Sequence, residues 1–281
     1  MAIYLDGKVL AKKIREGLRT EVDDLKEKSI FPKLAVIMVG EDPASLVYVK
    51  NKNKACKEIG IAYEEHLLPE DIDMEALLEL IDELNRNEQI HGILLQSPIP
   101  RGLDIRQAFE KIDPSKDVDG FHSTNVGKLW LDQDPFVSCT PYGVIKLLEE
   151  YQIEVQGKHA VIIGRSNIVG KPMASLLLSK NATVTICHSK TGKIEEHIKQ
   201  ADIIVAAVGK PKFITRDMVK EGAVVIDVGI NRTEEGLVGD VDFTEVEQLA
   251  SYITPVPGGV GPMTVAMLMC NVVKAAKEIE G

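Results

Sequence analysis

The chain has 281 residues, of which 44% are hydrophobic and 27% are charged, and its formal net charge is −10. This length suggests about two domains, and the composition is that of an ordinary globular protein. The acidic balance argues against a nucleic-acid-binding protein, which would carry a basic surface. No apolar run is long enough to span a bilayer, so we expect no membrane association.

The cysteines lie far apart and form no C-x-x-C pair; they are Cys56, Cys139, Cys187 and Cys270. Scattered cysteines of this kind are typical of reduced packing residues in a cytosolic protein, and the first residues lack the architecture of a signal peptide. We therefore expect a cytoplasmic protein. The histidines are dispersed and form no H-E-x-x-H motif, so the sequence predicts no metal site.

The first half of the chain alternates between predicted helices and strands. Aliphatic residues spaced by three or four positions predict a helix over 10–25, and the continuous apolar run 34–39 predicts a buried parallel strand. The next predicted elements are helix 43–60, strand 61–68, helix 74–85, strand 92–96 and helix 105–112. This alternation predicts an α/β unit with a mainly parallel sheet.

Residues 113–140 break this rhythm, because they contain prolines and glycines but no long hydrophobic period. A loop of this length is usually functional or connects two domains. After a linking helix over 141–150, a second α/β unit of Rossmann type begins. Its strands are predicted near 160–163, 182–187, 202–206, 223–228 and 251–254. A final helix from Pro262 toward Gly281 is expected to pack back on the first domain.

A glycine turn follows the first strand of the second unit, in the sequence VIIGRSNIVG over 161–170. In α/β proteins such a turn holds a dinucleotide, because the next helix presents free N–H groups to a pyrophosphate. The spacing of Gly164 and Gly170 differs from G-x-G-x-x-G, and glycines in a strand–helix turn also fit a purely steric role. Arg165 within the turn indicates an additional phosphate.

The segment after the next strand, His188-Ser189-Lys190-Thr191, contains no carboxylate. NAD-binding proteins usually place Asp or Glu near this position to bind the ribose 2′-hydroxyl. A serine hydroxyl with positive charge nearby suits a 2′-phosphate instead, so the sequence favours NADP over NAD. The alternative is a polar loop that takes no part in binding.

One predicted helix carries four lysines that divide between two faces. Lys50, Lys54 and Lys57 share one face, which predicts a solvated stripe, whereas Lys52 lies on the less polar face one turn after Tyr48. In one interpretation the stem of Lys52 packs while its ammonium reaches water. In the other, Lys52 is a partly desolvated amine with a lowered pKa, suited to general acid–base catalysis.

Two further candidates follow elements of the first domain. Gln96 ends a parallel strand, at the edge where α/β proteins bind ligands, and Asp119 lies in the short turn KDVDGF over 116–121. Each also fits a structural role, Gln96 as a strand terminus and Asp119 as a turn residue stabilised by Gly120.

Nine short segments, spread in order over nearly the whole chain, match the motifs of one known family. They are DPAS at 42–45, YVKNK at 48–52, GILLQSPIP at 92–100, KDVDGF at 116–121, CTP at 139–141, GRS at 164–166, DVGIN at 227–231, GDV at 239–241 and TPVPGGVGPMT at 254–264. Together they closely resemble the bifunctional methylenetetrahydrofolate dehydrogenase/methenyltetrahydrofolate cyclohydrolase family. So many ordered matches are specific, whereas a single motif would not be.

The resemblance implies an α/β protein of two α/β domains with a cleft between them. One is a folate-binding catalytic domain, residues 1–140 plus the C-terminal helix 262–281, and the other is a Rossmann-type NADP-binding domain, residues 141–261. It implies a homodimer joined through the NADP-binding domain. The implied activity is oxidation of 5,10-methylenetetrahydrofolate to 5,10-methenyltetrahydrofolate with NADP, then hydrolysis to 10-formyltetrahydrofolate, in one-carbon metabolism.

The resemblance also implies roles for individual residues. The lysine of the family's Y-x-x-x-K motif is catalytic and matches Lys52, with Tyr48 beside it. The glutamine of the Q-x-P-x-P segment matches Gln96, and Tyr48 and Gln96 can orient the lysine amine. Asp119 matches the aspartate that holds the pterin. The implied NADP contacts are Gly164, Arg165, Ser166, Ser189 and Ile230, and the implied backbone approaches to the nicotinamide and pterin are Gly258 and Gly259.

The sequence departs from the family pattern at Ser97, where leucine is common, and at Ser123, where proline often follows the histidine. We expect these changes to alter substrate affinity and not the type of reaction. An alternative enzyme is a two-domain NADP dehydrogenase of shikimate type, which would not explain Tyr48, Gln96 and Asp119 together. An alternative of another class is a catalytically silent NADP-binding module.

Overall fold

The structure is a computed structural model that describes residues 1–234 and 236–278. It divides into two compact units, each built on a parallel sheet. The three-stranded unit comprises Lys12–Val137 and Val265–Gly281, and the six-stranded unit comprises Met1–Ala11 and Ser138–Thr264. The predicted α/β fold class is confirmed. No helix among the described residues is long and apolar enough to cross a membrane.

The three-stranded unit has a central strand that is buried on both faces. With elements numbered in chain order, its strands are β2 (Lys33–Val39), β3 (Ala62–Leu68) and β4 (Gly92–Leu95), all parallel and in the order β3-β2-β4. Its helices are α1 (Gly7–Glu27, from Lys12 on), α2 (Pro43–Ile59), α3 (Met74–Arg86), α4 (Ile105–Lys111), α5 (Ser123–Trp130) and α10 (Val260–Glu278, from Val265 on).

One core cluster of this unit forms where α3 packs on the sheet. Leu77, Ile81 and Leu84 recur at the spacing of one helix face and pack with Ile37 and Ile93 of the strands. Fully burying each such side chain contributes about 1.5–3 kcal/mol.

The C-terminal helix packs back on the first domain, as the sequence predicts. Met269 Sδ in α10 lies 3.6 Å from Cys56 Sγ in α2, and Lys277 forms an ion pair with Glu21 in α1. A Cβ added to Gly92 would lie 3.3 Å from Val272 Cγ2, so β4 and α10 are in close contact. The last part of this predicted helix, 279–281, lies outside the described residues.

The six-stranded unit is a parallel sheet in the order β1-β11-β8-β7-β5-β6. These strands are β1 (Ile3–Tyr4), β5 (His159–Ile163), β6 (Thr183–Cys187), β7 (Ile203–Ala206), β8 (Val224–Asp227) and β11 (Tyr252–Ile253). A small antiparallel hairpin joins β9 (Asn231–Thr233) to β10 (Gly236–Val238). The helices are α6 (Cys139–Glu150), α7 (Gly170–Ser179), α8 (Ile194–Ile198) and α9 (Phe243–Val246), with a 3₁₀ turn at Arg216–Met218.

The expectation of an uninterrupted loop over 113–140 is wrong, because α5 lies within it. Its N-terminus is capped by His122, whose Nδ1 accepts a hydrogen bond from Thr124 N at 3.0 Å. Histidine is not among the usual N-cap residues, and eight residues are too few to display a helical period. Strand β1 and the β9–β10 hairpin are also too short for a sequence pattern.

Candidate functional site

Lys52 and Gln96 are in direct contact in the three-stranded unit. The Lys52 ammonium donates a hydrogen bond to Gln96 Oε1 at 2.8 Å, across 44 residues of sequence. Gln96 follows β4 and is 8% exposed, and its Nε2 donates to the Ser97 carbonyl at 2.6 Å. The amide is thereby oriented with its oxygen toward the lysine. This contact fixes the direction of the Lys52 amine.

Helix α2 sets the position of Lys52. Asp42 accepts a hydrogen bond from Ser45 N at 2.7 Å at the N-terminus, and Pro43 occupies the first turn. Gly60 ends the helix in the left-handed conformation, with φ of 84°. These signals place the predicted and observed helix over nearly the same residues.

The side chains of α2 differ sharply in exposure. Lys50, Lys54 and Lys57 are exposed, whereas Lys52 is half-buried. Tyr48, one turn before Lys52, is 41% exposed. The helix therefore separates a solvated lysine stripe from a face that holds one lysine.

Cys56 lies one turn after Lys52 and is fully buried. Burial raises the pKa of its thiol to about 12, although the nearby charge of Lys52 acts in the opposite direction. Cys56 therefore stays protonated at neutral pH and serves as a packing residue, because the thiolate is the nucleophilic form.

The loop that carries Asp119 is held by its two preceding charged residues. Lys116 donates to the carbonyl oxygens of Leu84, Asn85 and Asn87 at 3.3, 2.7 and 2.8 Å, at the C-terminus of α3. Burial lowers the pKa of this lysine. Asp119 itself is half-buried.

Asp117 is the second of these anchors, and it is 2% exposed. Its carboxylate accepts hydrogen bonds from Gly120 N, Phe121 N, His122 N and Asn125 Nδ2 at 2.8–3.2 Å. Burial raises its pKa. The residue also forms a parallel bridge with Ile93 of β4, the strand that Gln96 follows. Sequence reasoning did not single out Asp117, since the motif alone does not show which aspartate is buried.

Ser123 has a specific role in this loop. Its backbone N and its Oγ donate to the two carboxylate oxygens of Glu110 at 3.0 and 2.7 Å. Proline at this position could make neither hydrogen bond. Ser97, the other departure, is exposed.

The predicted nucleotide turn lies at the carboxyl edge of the six-stranded sheet. Gly164 N donates to Cys187 O at 2.9 Å, so the turn after β5 and the loop after β6 are neighbours. Gly164 has a φ of +127°, and an added Cβ would lie 2.2 Å from the Ala207 carbonyl oxygen. A Cβ on Gly170 would lie 2.3 Å from Gly164 O. Both glycines are sterically required.

The side chains at this edge fit an anionic dinucleotide. Ser166 Oγ accepts from Val169 N and Gly170 N at 3.1 and 3.3 Å, which shapes the start of α7. Arg165, Ser189 and Lys190 are exposed. Glycines that admit a close approach, a helix N-terminus and adjacent cations form a suitable cradle for a pyrophosphate and a further phosphate.

The other predicted contacts lie in the same unit. Ile230 follows β8 and is 44% exposed. Gly258 has a φ of +120° and accepts from Lys8 N at 3.1 Å. An added Cβ on Gly259 would lie 2.7 Å from the Pro255 carbonyl oxygen and 2.7 Å from Thr254 Cβ. Gly258 is therefore required by its backbone conformation and Gly259 by local packing, apart from any role in binding.

Two family models together match most of the chain. Residues 138–280 match the NAD(P)-binding domain of tetrahydrofolate dehydrogenase/cyclohydrolase, and residues 5–119 match the catalytic domain of the same family. The chain belongs to the tetrahydrofolate dehydrogenase/cyclohydrolase family. The prediction of the family from the sequence is confirmed.

Individual proteins of known name are similar to this chain over nearly their whole length. The bifunctional protein FolD of Acetivibrio thermocellus is 58% identical over 277 residues, covering 98% of this chain and 97% of that protein. The bifunctional enzyme FolD from Campylobacter jejuni has a crystal structure with a TM-score of 0.98 and 53% identity, covering 99% of both chains. The Trypanosoma brucei enzyme, complexed with NADP cofactor and inhibitor, has a TM-score of 0.94 and 39% identity, covering 99% of this chain and 98% of that chain.

Proposed function

We propose that this chain carries out both reactions of the tetrahydrofolate dehydrogenase/cyclohydrolase family, with Lys52 as the proton carrier of the second. It oxidises 5,10-methylenetetrahydrofolate to 5,10-methenyltetrahydrofolate with NADP, and then hydrolyses the product to 10-formyltetrahydrofolate, in one-carbon metabolism. The observation that supports the role of Lys52 is its hydrogen bond to the buried amide of Gln96.

The dehydrogenase step depends on positioning. Bound NADP supplies the acceptor for the hydride that leaves the methylene carbon. The resulting cation is stabilised by the two folate nitrogens, so no protein base is needed. We assign cofactor binding to the turn Gly164-Arg165-Ser166, to Ser189 at the 2′-phosphate, and to Ile230, with Gly258 and Gly259 allowing close backbone approach.

The cyclohydrolase step requires proton transfer, because a water adds to the methenyl carbon and a ring C–N bond breaks. The water loses a proton and the departing folate nitrogen gains one. The Lys52 amine can carry that proton, and Gln96 holds the amine in one direction. A cationic substrate favours the neutral amine, which accepts a proton. Tyr48, one turn away on α2, is assigned to orient the reacting groups.

Asp119 is assigned to the pterin. Its carboxylate can accept paired hydrogen bonds from the N3–H and 2-amino groups of the ring. Lys116 anchors the loop to the C-terminus of α3, and Asp117 anchors it to β4 and to the backbone of 120–122, so the segment that carries Asp119 is held both before and after this residue. We therefore assign folate binding to the three-stranded unit and NADP binding to the six-stranded unit. As functional boundaries we propose 1–140 with 262–281 and 141–261, which differ from the compact units at residues 1–11, 138–140 and 262–264.

We also propose a homodimer joined through the NADP-binding domain. Strand β6 is at an edge of the six-stranded sheet, and edge strands present backbone groups that can pair with a second copy. Ile186 on this strand is 36% exposed, and Leu178 on the preceding helix is 55% exposed. We also propose a cytoplasmic location, because the cysteines are scattered along the chain and form no C-x-x-C pair.

Arg165→Ala tests the assignment of the 2′-phosphate. We expect NADP⁺ affinity to fall by about 1.5–3 kcal/mol, the range for a hydrogen bond to a charged group, while NAD⁺ affinity changes little. Titration with each nucleotide measures the ratio, and Arg216→Ala, an exposed arginine elsewhere in the unit, is the control. An unchanged NADP⁺ to NAD⁺ ratio would show that Arg165 does not bind the phosphate.

Asp119→Asn tests the pterin contact. The substitution turns an acceptor into a donor that faces pterin donors, at a cost of about 1–3 kcal/mol. Both activities should fall together while NADP⁺ binding, measured by titration, persists. Asp71→Asn, at an exposed position, should leave both activities intact. Normal folate binding by Asp119→Asn contradicts the assignment.

Lys52→Met separates the two reactions. The methionine keeps much of the stem volume and removes the amine, so cyclohydrolase activity should fall by about 10²–10⁴-fold while dehydrogenase activity remains measurable. The methenyl intermediate should accumulate and be seen by its near-ultraviolet absorbance. Lys54→Met, on the exposed face, is the matched control. Equal loss of both activities with intact NADP⁺ binding would make Lys52 a positioning group, and full cyclohydrolase activity would refute the proton-transfer role.

Ile186→Lys tests the proposed dimer. Charges facing each other across paired β6 strands should convert the dimer into a monomer in sedimentation experiments. Leu131→Lys, 67% exposed in the three-stranded unit, should leave the dimer intact. A variant that stays dimeric, or a wild-type chain that is monomeric, refutes an interface at β6.

A further inference from the structure

Two aspartates that the reaction does not use are buried at the carboxyl edge of the six-stranded sheet. Asp240 is 0% exposed and Asp227, the last residue of β8, is 3% exposed. Buried carboxylates are costly unless they are hydrogen-bonded, so their partners indicate what they do.

Asp240 accepts hydrogen bonds from two segments that are far apart in the sequence, the backbone of 208–210 and the side chain of Asn231. Its Oδ2 accepts from Val208 N and Gly209 N at 2.6 and 2.9 Å, and its Oδ1 accepts from Lys210 N at 2.9 Å. Three consecutive backbone donors after β7 are thus held by one carboxylate. Its Oδ1 also accepts from the Asn231 side-chain amide at 2.8 Å.

Asp227 holds the segment that contains Asp240. Its Oδ1 accepts from Gly229 N and Asp240 N at 3.0 and 2.9 Å, and its Oδ2 accepts from Val241 N at 2.9 Å. Burial raises the pKa of Asp227 to about 7 against these backbone donors, and the charge of Asp240 adds to the rise.

Glycine is required where the two carboxylates meet the backbone. A Cβ on Gly239 would lie 1.8 Å from Asp227 Oδ2, and a Cβ on Gly229 would lie 2.3 Å from Asp240 Cγ. The D-V-G-I-N and G-D-V motifs therefore enclose each other's aspartate.

Both segments held by Asp240 adjoin the assigned NADP contacts. Ala207, directly before the three bound donors, packs its carbonyl oxygen against Gly164 of the nucleotide turn. Asn231 directly follows Ile230, which is exposed at the same edge. A single buried carboxylate thus fixes the backbone beside two separate NADP contacts.

We propose that Asp240 is a positioning residue for NADP, acting through the 207–210 segment on Gly164 and through Asn231 on Ile230. The proposal rests on the function proposed above. Because Asp240 is fully buried, it contacts neither substrate nor cofactor. It holds the backbone of the sheet edge that carries the assigned NADP contacts. Asparagine in its place has one acceptor oxygen, and its NH₂ group opposes backbone donors, so the 208–210 segment must shift.

The test compares Asp240→Asn with Asp242→Asn, a half-buried aspartate two residues away that makes no side-chain cap bond to α9. NADPH affinity is measured by fluorescence, the NADP⁺ KM by dehydrogenase assay, and cyclohydrolase activity with methenyltetrahydrofolate and no nucleotide. For Asp240→Asn we expect the NADPH Kd and the NADP⁺ KM to rise at least about tenfold. Cyclohydrolase activity should stay within about twofold, and Asp242→Asn should resemble the wild type.

Unchanged NADPH affinity in folded Asp240→Asn overturns the proposal, as does a parallel loss of both activities with a lowered Tm, which would make Asp240 structural only. If Asp240→Asn does not fold, Asn231→Leu decides, because it removes one donor and leaves the carboxylate in place. A raised NADP⁺ KM with normal cyclohydrolase activity supports the proposal, and an unchanged KM overturns it. Failure of the wild-type chain to bind NADPH would instead refute the proposed function.

Discussion

Buried carboxylates that bind loop N–H groups hold the loops that carry the candidate site in both units. Loops that follow parallel strands have backbone donors with no partner strand, and each donor left unsatisfied when buried costs about 1–3 kcal/mol. Asp117 in the three-stranded unit and Asp240 in the six-stranded unit each accept from three backbone donors and one side-chain amide. Asp227 accepts from three backbone donors. The loops that carry the candidate site are consequently held by hydrogen bonds to buried groups.

The same constraint explains how the motifs are organised. In K-D-V-D-G, hydrogen bonds of Lys116 and Asp117 hold the loop, whereas Asp119 is half-buried. In D-V-G-I-N, Asp227 and Asn231 are held by hydrogen bonds while Ile230 is exposed. In each of these motifs, most residues therefore hold the loop in place, and one residue is left accessible to a ligand.

Local signals were sufficient to predict some of these features and not others. Helix α2 could be predicted because Pro43 and Gly60 mark its ends, and the partial burial of Lys52 follows from helix periodicity. Local signals did not predict its contact with Gln96, since 44 residues separate the two and neither segment shows that β4 pairs with β2. The family resemblance implied that Gln96 orients the amine. The burial of Asp117 was missed for a similar reason, because a strand neighbour decides which carboxylate of the loop points inward. Family resemblance identified the presented residues but gave no indication of the anchors.

We propose that one chain performs both reactions and that the hydrolysis, in which Lys52 carries the proton, needs no nucleotide. The most direct measurement follows the near-ultraviolet absorbance of the wild-type chain in two assays. One contains methylenetetrahydrofolate and NADP⁺, and the other contains methenyltetrahydrofolate alone. We expect NADPH formation in the first assay and enzyme-dependent loss of methenyltetrahydrofolate in the second. Absence of NADPH formation, or hydrolysis only when nucleotide is present, would contradict this proposal.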